Sequence, residues 1–181
     1  MFYQKEVIDV GDQASKLAHE VCQGSYKNSP AVTIVPHKKP DNFRGPVGWI
    51  WRDHILKMMR KFKTDYNGRV TKWTMMEEME NDGAGGKPQF FTAIGTPDIF
   101  SSLGWEIITM CADDFARSGR LPVIMVNELN IKKLTKENYP LFEALMRGYD
   151  GALRKTGLVN ITGETAIMKN SITAVCDTQS D

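Results

Sequence analysis

Residues 121–161, LPVIMVNELNIKKLTKENYPLFEALMRGYDGALRKTGLVNI, decide the fold because they predict a strand, a helix and a second strand in succession. The apolar run at 121–127 predicts a buried strand, and residues 158–161 predict the next one. Between them, Thr135 is placed to cap a helix that ends at Gly157. One stripe of this helix is apolar: Phe142, Leu145, Met146, Tyr149, Ala152 and Leu153. Strands joined by a helix usually run parallel, so a parallel pair is expected.

The flanking segments extend this unit into an α+β fold. Residues 88–94 predict a strand, residues 102–118 a helix that Gly119 ends, and residues 171–176 a last strand after a loop. The resulting order, β-α-β-α-β-β, predicts a mixed sheet with helices on one face. Continuous apolar strands should be buried on both faces. We therefore expect a homodimer in which a second sheet covers the open face as in a barrel, with the first hundred residues as the alternative cover.

The N-terminal part is predicted to contain a short helix over 11–22 and a strand over 31–35. A loop is expected over 37–48, an amphipathic helix over 49–62 and an irregular segment over 64–87. A chain of 181 residues can bury a sizeable core, so residues 1–181 are expected to form a single domain.

Composition excludes several classes of protein. The 23 Lys and Arg residues nearly balance the 22 Asp and Glu residues, so no overall field favours nucleic acid or membrane as a partner. The cysteines Cys22, Cys111 and Cys176 are widely spaced, unlike those of a zinc site or a disulfide scaffold. The sequence shows no signal peptide and no apolar run long enough to span a bilayer. A cytoplasmic protein is expected.

The first motif that could carry chemistry is Asp82-Gly-Ala-Gly-Gly-Lys87. Glycines at 83, 85 and 86 would let the backbone approach a phosphate closely, although a flexible turn would use the same residues. A Walker A loop is excluded because Asn81 and Pro88 stand where that motif needs Gly and Ser or Thr.

Two further motifs contain acids. Asp113 and Asp114 are adjacent within an apolar helix, where one carboxylate could hold Mg²⁺, although an exposed acidic pair is the simpler interpretation. Residues 161–168, with Glu164 and Thr165, predict a loop between the last two strands. A hairpin turn is one interpretation of this loop. The other is that it brings a carboxylate and a hydroxyl group to the same sheet edge as Asp82.

Together, DGAGGK at 82–87, GWEIITMCADD at 104–114 and GETAIM at 163–168 resemble the aminoimidazole ribonucleotide synthetase (phosphoribosylformylglycinamidine cyclo-ligase) family, in order and in spacing. The resemblance covers residues 82–177, whereas residues 1–81 diverge and match only weakly at 3–11. Family members continue into a second α/β domain, which we expect residues 1–181 to lack. The resemblance thus extends to the family's N-terminal, ATP-binding domain.

The resemblance implies a barrel-like homodimer that binds ATP and Mg²⁺ near its interface. In the family, ATP phosphorylates the formyl oxygen of formylglycinamidine ribonucleotide, and ring closure then gives aminoimidazole ribonucleotide in purine biosynthesis. Carried over by motif, Asp82, Asp114 and Glu164 would hold the metal, and Asp82, Lys87 and Asp114 would be catalytic. Nucleotide contacts would come from Gly83, Gly85, Gly86, Asp113, Glu164 and Thr165. The expected partner is a small-molecule ribonucleotide.

Three positions depart from the family pattern: Gly86 replaces Thr, Asp113 replaces Asn and Thr162 replaces Gly. Two alternatives therefore stay open. One is a sibling ATP-dependent kinase or synthetase of the same superfamily acting on another small molecule. The other is a non-catalytic dimeric module that binds nucleotide.

Overall fold

The computed structural model describes residues 2–38, 45–61, 79 and 82–168, and the side chains of all of these except 2–9 and 58–61. Over these residues the elements follow one another along the chain as α1 (Phe2–Ser25), β1 (Val32–Val35), β2 (Gly48–Trp51), α2 (Asp53–Lys61), α3 (Lys87–Ile94), α4 (Pro97–Arg117), β3 (Ile124–Ile131), α5 (Tyr139–Thr156) and β4 (Val159–Ile167). No helix in the described ranges is long and apolar enough to cross a membrane.

The strand-helix-strand unit is confirmed. Strands β3 and β4 pair in parallel from Ile124 opposite Val159 to Ile131 opposite Ile167, and α5 forms the crossover between them. The α5 stripe predicted from the sequence is buried, with every member at most 7% exposed. Gly157 ends α5 with φ 75°, in the left-handed region that glycine adopts readily, and its N–H bonds the Leu153 carbonyl.

Helix α5 begins three residues later than predicted. Its N-cap residue is Asn138, so the prediction that Thr135 caps the helix is wrong. The Asn138 side-chain oxygen accepts a hydrogen bond from the Thr135 N–H at 2.7 Å. This bond closes the preceding turn, and the helix starts after it.

The core lies where α5 packs against α4 and α1. Leu103 and Ile108 of α4 and Val10, Ala14 and Val21 of α1 are buried against the α5 stripe. Glycine makes the close approach of α4 and α5 feasible, because a Cβ on Gly104 would lie 2.9 Å from the carbonyl carbon of Gly148. Small residues thus fix the position of α4, the helix that carries Cys111 and Asp114.

Two sequence predictions in this region are wrong. Residues 88–94 form helix α3 instead of a strand, because Pro88 opens a first helical turn and Gly95, with φ 69°, closes the last one. Residues 162–167 continue β4 instead of forming a loop. In the part of the chain that is described, the strands form two separate two-stranded sheets, so the predicted single mixed sheet is not confirmed. The α+β class is confirmed, and the predicted strand at 171–176 lies outside the described residues.

The N-terminal predictions hold in part. Helix α1 is longer than expected, and β1 matches its prediction. The helix predicted over 49–62 is instead a strand followed by a shorter helix, since residues 48–51 pair antiparallel with β1. Trp49 and Trp51 of β2 lie edge to face, with ring centroids 5.2 Å apart, and both pack against a small second cluster around Val32.

Over residues 126–130, no described residue of the chain covers one face of the parallel pair. Along β3, residues 125, 127, 129 and 131 are partly buried, whereas residues 126, 128 and 130 are exposed. Val126 is 61% exposed, so the expected burial of both faces is not achieved by the described residues of this chain. The homodimer with a closed barrel therefore stays a prediction.

Candidate functional site

The glycine-rich loop at 82–86 is an open turn at the start of α3. The Asp82 carboxylate accepts a hydrogen bond from the Gly83 N–H at 2.7 Å, and the Lys87 N–H bonds the Ala84 carbonyl at 3.1 Å. Gly85 has φ 56°, a conformation that favours glycine. Among the described residues, no atom lies within 4 Å of a Cβ built on Gly83, Gly85 or Gly86, so these residues leave space for a ligand beside the loop.

This loop lies against the second motif, on α4. The Cys111 thiol donates a hydrogen bond to the Asp82 carbonyl oxygen at 3.9 Å. Burial raises the pKa of the Cys111 thiol, and the negative charges of Asp82 and Asp114 raise it further. Two carboxylates that lie 32 residues apart in the sequence are therefore close to one thiol.

The charged groups of this site are engaged in ion pairs at its surface. The Lys87 ammonium group lies 2.5 Å from the carboxylate of Glu106 on α4, and the Arg117 guanidinium lies 2.5 Å from the Asp114 carboxylate. Lys87 and Glu106 are both 40% or more exposed, and exposed pairs contribute little to stability. A bound phosphate could therefore replace Glu106 as the partner of Lys87 at small cost. Glu106 is a member of the site that sequence reasoning missed.

The third motif lies on β4, beside a separate cavity. A space of about 180 Å³ lies between α1 and residues 161–165 of β4. Glu164 and Thr165 line it, together with Asn127 of β3, His19 of α1 and Tyr26, which directly follows α1. Neither Asp82 nor Asp114 lines this cavity, so Glu164 does not share a pocket with the glycine-rich loop.

Buried hydrogen bonds fix the β4 side of the cavity. The Asn160 N–H donates to the Ser25 hydroxyl group at 2.9 Å, and that hydroxyl group donates to the Cys22 carbonyl at 2.7 Å. The Tyr26 hydroxyl group donates to the Ile161 carbonyl at 3.3 Å. The end of α1 thus holds the backbone of β4 immediately before the third motif. No local signal in the sequence predicts the two bonds that join Ser25 and Tyr26 to β4, each between residues 135 apart.

The predicted three-carboxylate metal site is not assembled among the residues that the structure describes. These residues contain no group of three or more His, Cys, Asp and Glu side chains that could hold a metal ion. Asp82 and Asp114 both lie near Cys111, and Asp113 is exposed next to Asp114. Glu164, by contrast, lines the cavity between α1 and β4. The assignment of these residues to metal and nucleotide stays a prediction.

Comparison with known proteins gives the family. The profile described as AIR synthase related protein, N-terminal domain, matches residues 76–178, which is more than half of the chain. The chain belongs to the AIR synthase related protein family. The resemblance drawn from the three motifs is therefore confirmed. Elements α1, β1, β2 and α2 all precede the matched range.

One relative carries a specific name. A phosphoribosylformylglycinamidine cyclo-ligase of Thermococcus kodakarensis is 34% identical to this chain over 92 residues, which cover 50% of the chain and 25% of the relative. The chain therefore spans about a quarter of the length of that relative.

Proposed function

We propose that this chain is the ATP- and Mg²⁺-binding domain of an ATP-dependent ligase of the cyclo-ligase type. The observation that carries the proposal is the contact between the glycine-rich loop and α4, where Asp82 and Asp114 both lie near Cys111. The family match supports it, because the match includes all three motifs. The reaction proposed is the conversion of formylglycinamidine ribonucleotide into aminoimidazole ribonucleotide in purine biosynthesis.

The side chains of the site have the chemistry that Mg²⁺ and phosphate need. Asp82 and Asp114 supply carboxylate oxygens, the ligands that Mg²⁺ prefers, and Mg²⁺ commonly uses only one or two of them together with waters and phosphate. Asp113 adds a further negative charge beside them. When bound, the ion would neutralise charge on the phosphoryl group that is transferred. Glu164 and Thr165 are proposed to contact the nucleotide from the α1–β4 cavity, with Glu164 as the remaining candidate for the metal.

Lys87 and the loop backbone are proposed to hold the phosphates. Lys87 would exchange the exposed Glu106 carboxylate for phosphate oxygens, and Gly83, Gly85 and Gly86 allow the backbone to approach closely. Phosphoryl transfer depends mainly on positioning and charge stabilisation, which these groups could supply. The phosphoryl group would move to the formyl oxygen of the substrate. Attack by an internal nitrogen of the substrate would then break the carbon–oxygen bond and release phosphate.

A homodimer is proposed as the working form. The exposed face of β3, which includes Val126, is the surface that a second sheet would cover. Glu128 and Asn130 lie on this face beside Val126, and a second sheet over it would remove Val126 from water.

Titration calorimetry with ATP and Mg²⁺ tests the nucleotide site. Asp114→Asn is expected to weaken binding by more than about tenfold, since hydrogen bonds and ion contacts of a charged group are lost. Asp98→Asn is the matched control, because Asp98 lies in the first turn of the same helix, about 24 Å from Asp114 at 1.5 Å per residue. No heat at millimolar nucleotide, or equal losses in the two variants, would contradict the proposal.

Product analysis tests the reaction. The chain is incubated with ATP, Mg²⁺ and formylglycinamidine ribonucleotide, and mass spectrometry is used to detect aminoimidazole ribonucleotide and ADP. Lys87→Ala is expected to lower the yield of both. ADP without aminoimidazole ribonucleotide would instead favour a sibling kinase or synthetase.

A further inference from the structure

The ion pair between Lys87 and Glu106 connects the first two sequence motifs. Lys87 ends the glycine-rich loop and begins α3, whereas Glu106 lies in the middle of α4. The Lys87 Nζ and the Glu106 Oε2 are 2.5 Å apart, although the two residues are 19 positions apart in the chain. The pair between Arg117 and Asp114, by contrast, joins residues three apart on one helix. The Lys87–Glu106 pair is therefore a contact between two elements, at the place where the loop meets α4.

The backbone on both sides of this pair is held in place. The Lys87 N–H donates a hydrogen bond to the Ala84 carbonyl at 3.1 Å, which closes the turn before α3. Two residues before Glu106, Gly104 allows α4 to pack closely on α5, since a Cβ there would lie 2.9 Å from the Gly148 carbonyl carbon. Helix α4 therefore presents the Glu106 carboxylate at a set position beside the end of the loop.

The Glu106 carboxylate takes the place that a phosphate oxygen would have on Lys87. Carboxylate and phosphate oxygens both accept hydrogen bonds from an ammonium group, so a ligand phosphate has to displace Glu106 to reach Lys87. Both side chains are 40% or more exposed, so this displacement costs little. After displacement, α4 keeps the carboxylate close to the ligand as a like charge. Its repulsion is larger for a metal-free phosphate than for one whose charge Mg²⁺ partly neutralises.

We propose that Glu106 determines which phosphates the site accepts: its carboxylate holds Lys87 and disfavours metal-free phosphates, whereas a nucleotide that carries Mg²⁺ displaces it. Glu106 acts through Lys87 and through its own charge, so it is a specificity-determining residue and not a catalytic one. The inference rests on the proposed function, because that function assigns Lys87 to the phosphates. The charges of Asp82 and Asp114 act in the same direction, and they are unchanged when Glu106 alone is replaced.

Titration calorimetry of the full chain with two probes tests the inference. One probe is metal-free tripolyphosphate in the presence of a chelator, and the other is the Mg²⁺ complex of ATP. Glu106→Gln is expected to bind tripolyphosphate about five- to tenfold more tightly than the parent chain, because it removes both the charged competitor for Lys87 and a like charge. The affinity for the Mg²⁺ complex of ATP is expected to change by less than about twofold, because its phosphates are less strongly repelled.

Two further variants show whether the gain comes from the contact with Lys87. When Lys87→Ala is already present, adding Glu106→Gln should change the tripolyphosphate affinity by less than about twofold, because there is no ammonium group left to release. Glu143→Gln is the matched control: it removes the same charge and an ion pair of the same 2.5 Å length, which Glu143 forms with Arg147 on α5. This control should leave both affinities unchanged.

A tripolyphosphate affinity that is unchanged or lower in Glu106→Gln would overturn the inference, and so would an equal gain in Glu143→Gln or a full gain in the absence of Lys87. It would also be overturned if neither the parent chain nor Glu106→Gln bound tripolyphosphate at millimolar concentration. Failure of the proposed function is a separate result, which the Asp114→Asn titration with ATP and Mg²⁺ measures. The tripolyphosphate titration needs neither nucleotide nor metal ion, so it tests Glu106 even if the chain binds no ATP.

Discussion

Replacing Gly148 with alanine is predicted to destabilise the protein by about 2 kcal/mol. Gly148 lies where α5 packs against α4, and a Cβ there would overlap the Ser101 carbonyl oxygen and lie 2.9 Å from the Ser101 Cα. Because backbone atoms cannot rotate away, the two helices would have to separate. Overpacking of this kind costs about 1–3 kcal/mol, and the rigid neighbour places this site near the upper end. The higher helix propensity of alanine offsets about 1 kcal/mol.

Urea unfolding, followed by far-ultraviolet circular dichroism, measures this difference in the free energy of unfolding. Gly151→Ala is the matched control in the same helix, because its Cβ would lie 3.4 Å from the Trp105 ring in an ordinary contact. That variant should be as stable as the parent chain or up to about 1 kcal/mol more stable. Equal stability of the two variants, at an unchanged dependence on urea, would refute the helix-contact reasoning.

Three further predictions concern buried hydrogen bonds, a strand contact and a thiol. Ser25→Ala should lower the free energy of unfolding by about 1–3 kcal/mol in the same assay, because the buried Asn160 N–H loses its acceptor; the exposed Ser102→Ala should have almost no effect. Gly163→Ala should lower the melting temperature, because its Cβ would lie 2.8 Å from the Asn127 Cγ. Adding Asn127→Ala should recover part of that loss. If the double variant shows no recovery, the added methyl group clashes only with the backbone of Asn127. The alkylation rate of Cys111, followed by peptide mass mapping, should rise only at a pH above the ordinary thiol range, because burial raises its pKa. Asp114→Asn removes a negative charge that opposes the thiolate, so it should move this rise to lower pH, and an unchanged profile would argue against the proximity of Asp114 and Cys111.

The α5 region could be predicted from the sequence because several local signals agree there. The apolar stripe has helical spacing, Gly157 provides the stop, and the flanking apolar runs give the strands. Residues 88–94 predict a strand because Phe90 and Phe91 favour strands. The segment is instead helix α3, with Pro88 in its first turn and Gly95 at its end. Its start and stop signals were present in the sequence, and they outweigh a two-residue apolar pattern.

The third motif shows a limit of local reasoning. Gly163 suggested a turn, but it lies within β4, opposite Asn127 of β3. Glycine is needed at this position because the Asn127 side chain occupies the space that a Cβ would fill. Such a requirement comes from a neighbouring strand, so periodicity along the segment cannot reveal it. The cavity beside this motif likewise depends on α1, which is separated from β4 by more than a hundred residues.

The charges around the glycine-rich loop constrain how a nucleotide would enter the proposed site. Among the described residues, Asp82, Glu106, Asp113 and Asp114 bring four carboxylates to this region, whereas Lys87 and Arg117 bring two cations that are already paired. A free triphosphate would meet this excess of negative charge and be repelled. A divalent ion between the carboxylates and the phosphates reverses that interaction, and it also releases Lys87 from Glu106 to a stronger partner. We therefore expect the proposed site to bind the Mg²⁺ complex of a nucleotide more tightly than the free nucleotide. By the same argument, Asp82 and Asp114 should contribute more to the binding free energy than the glycines at 83, 85 and 86.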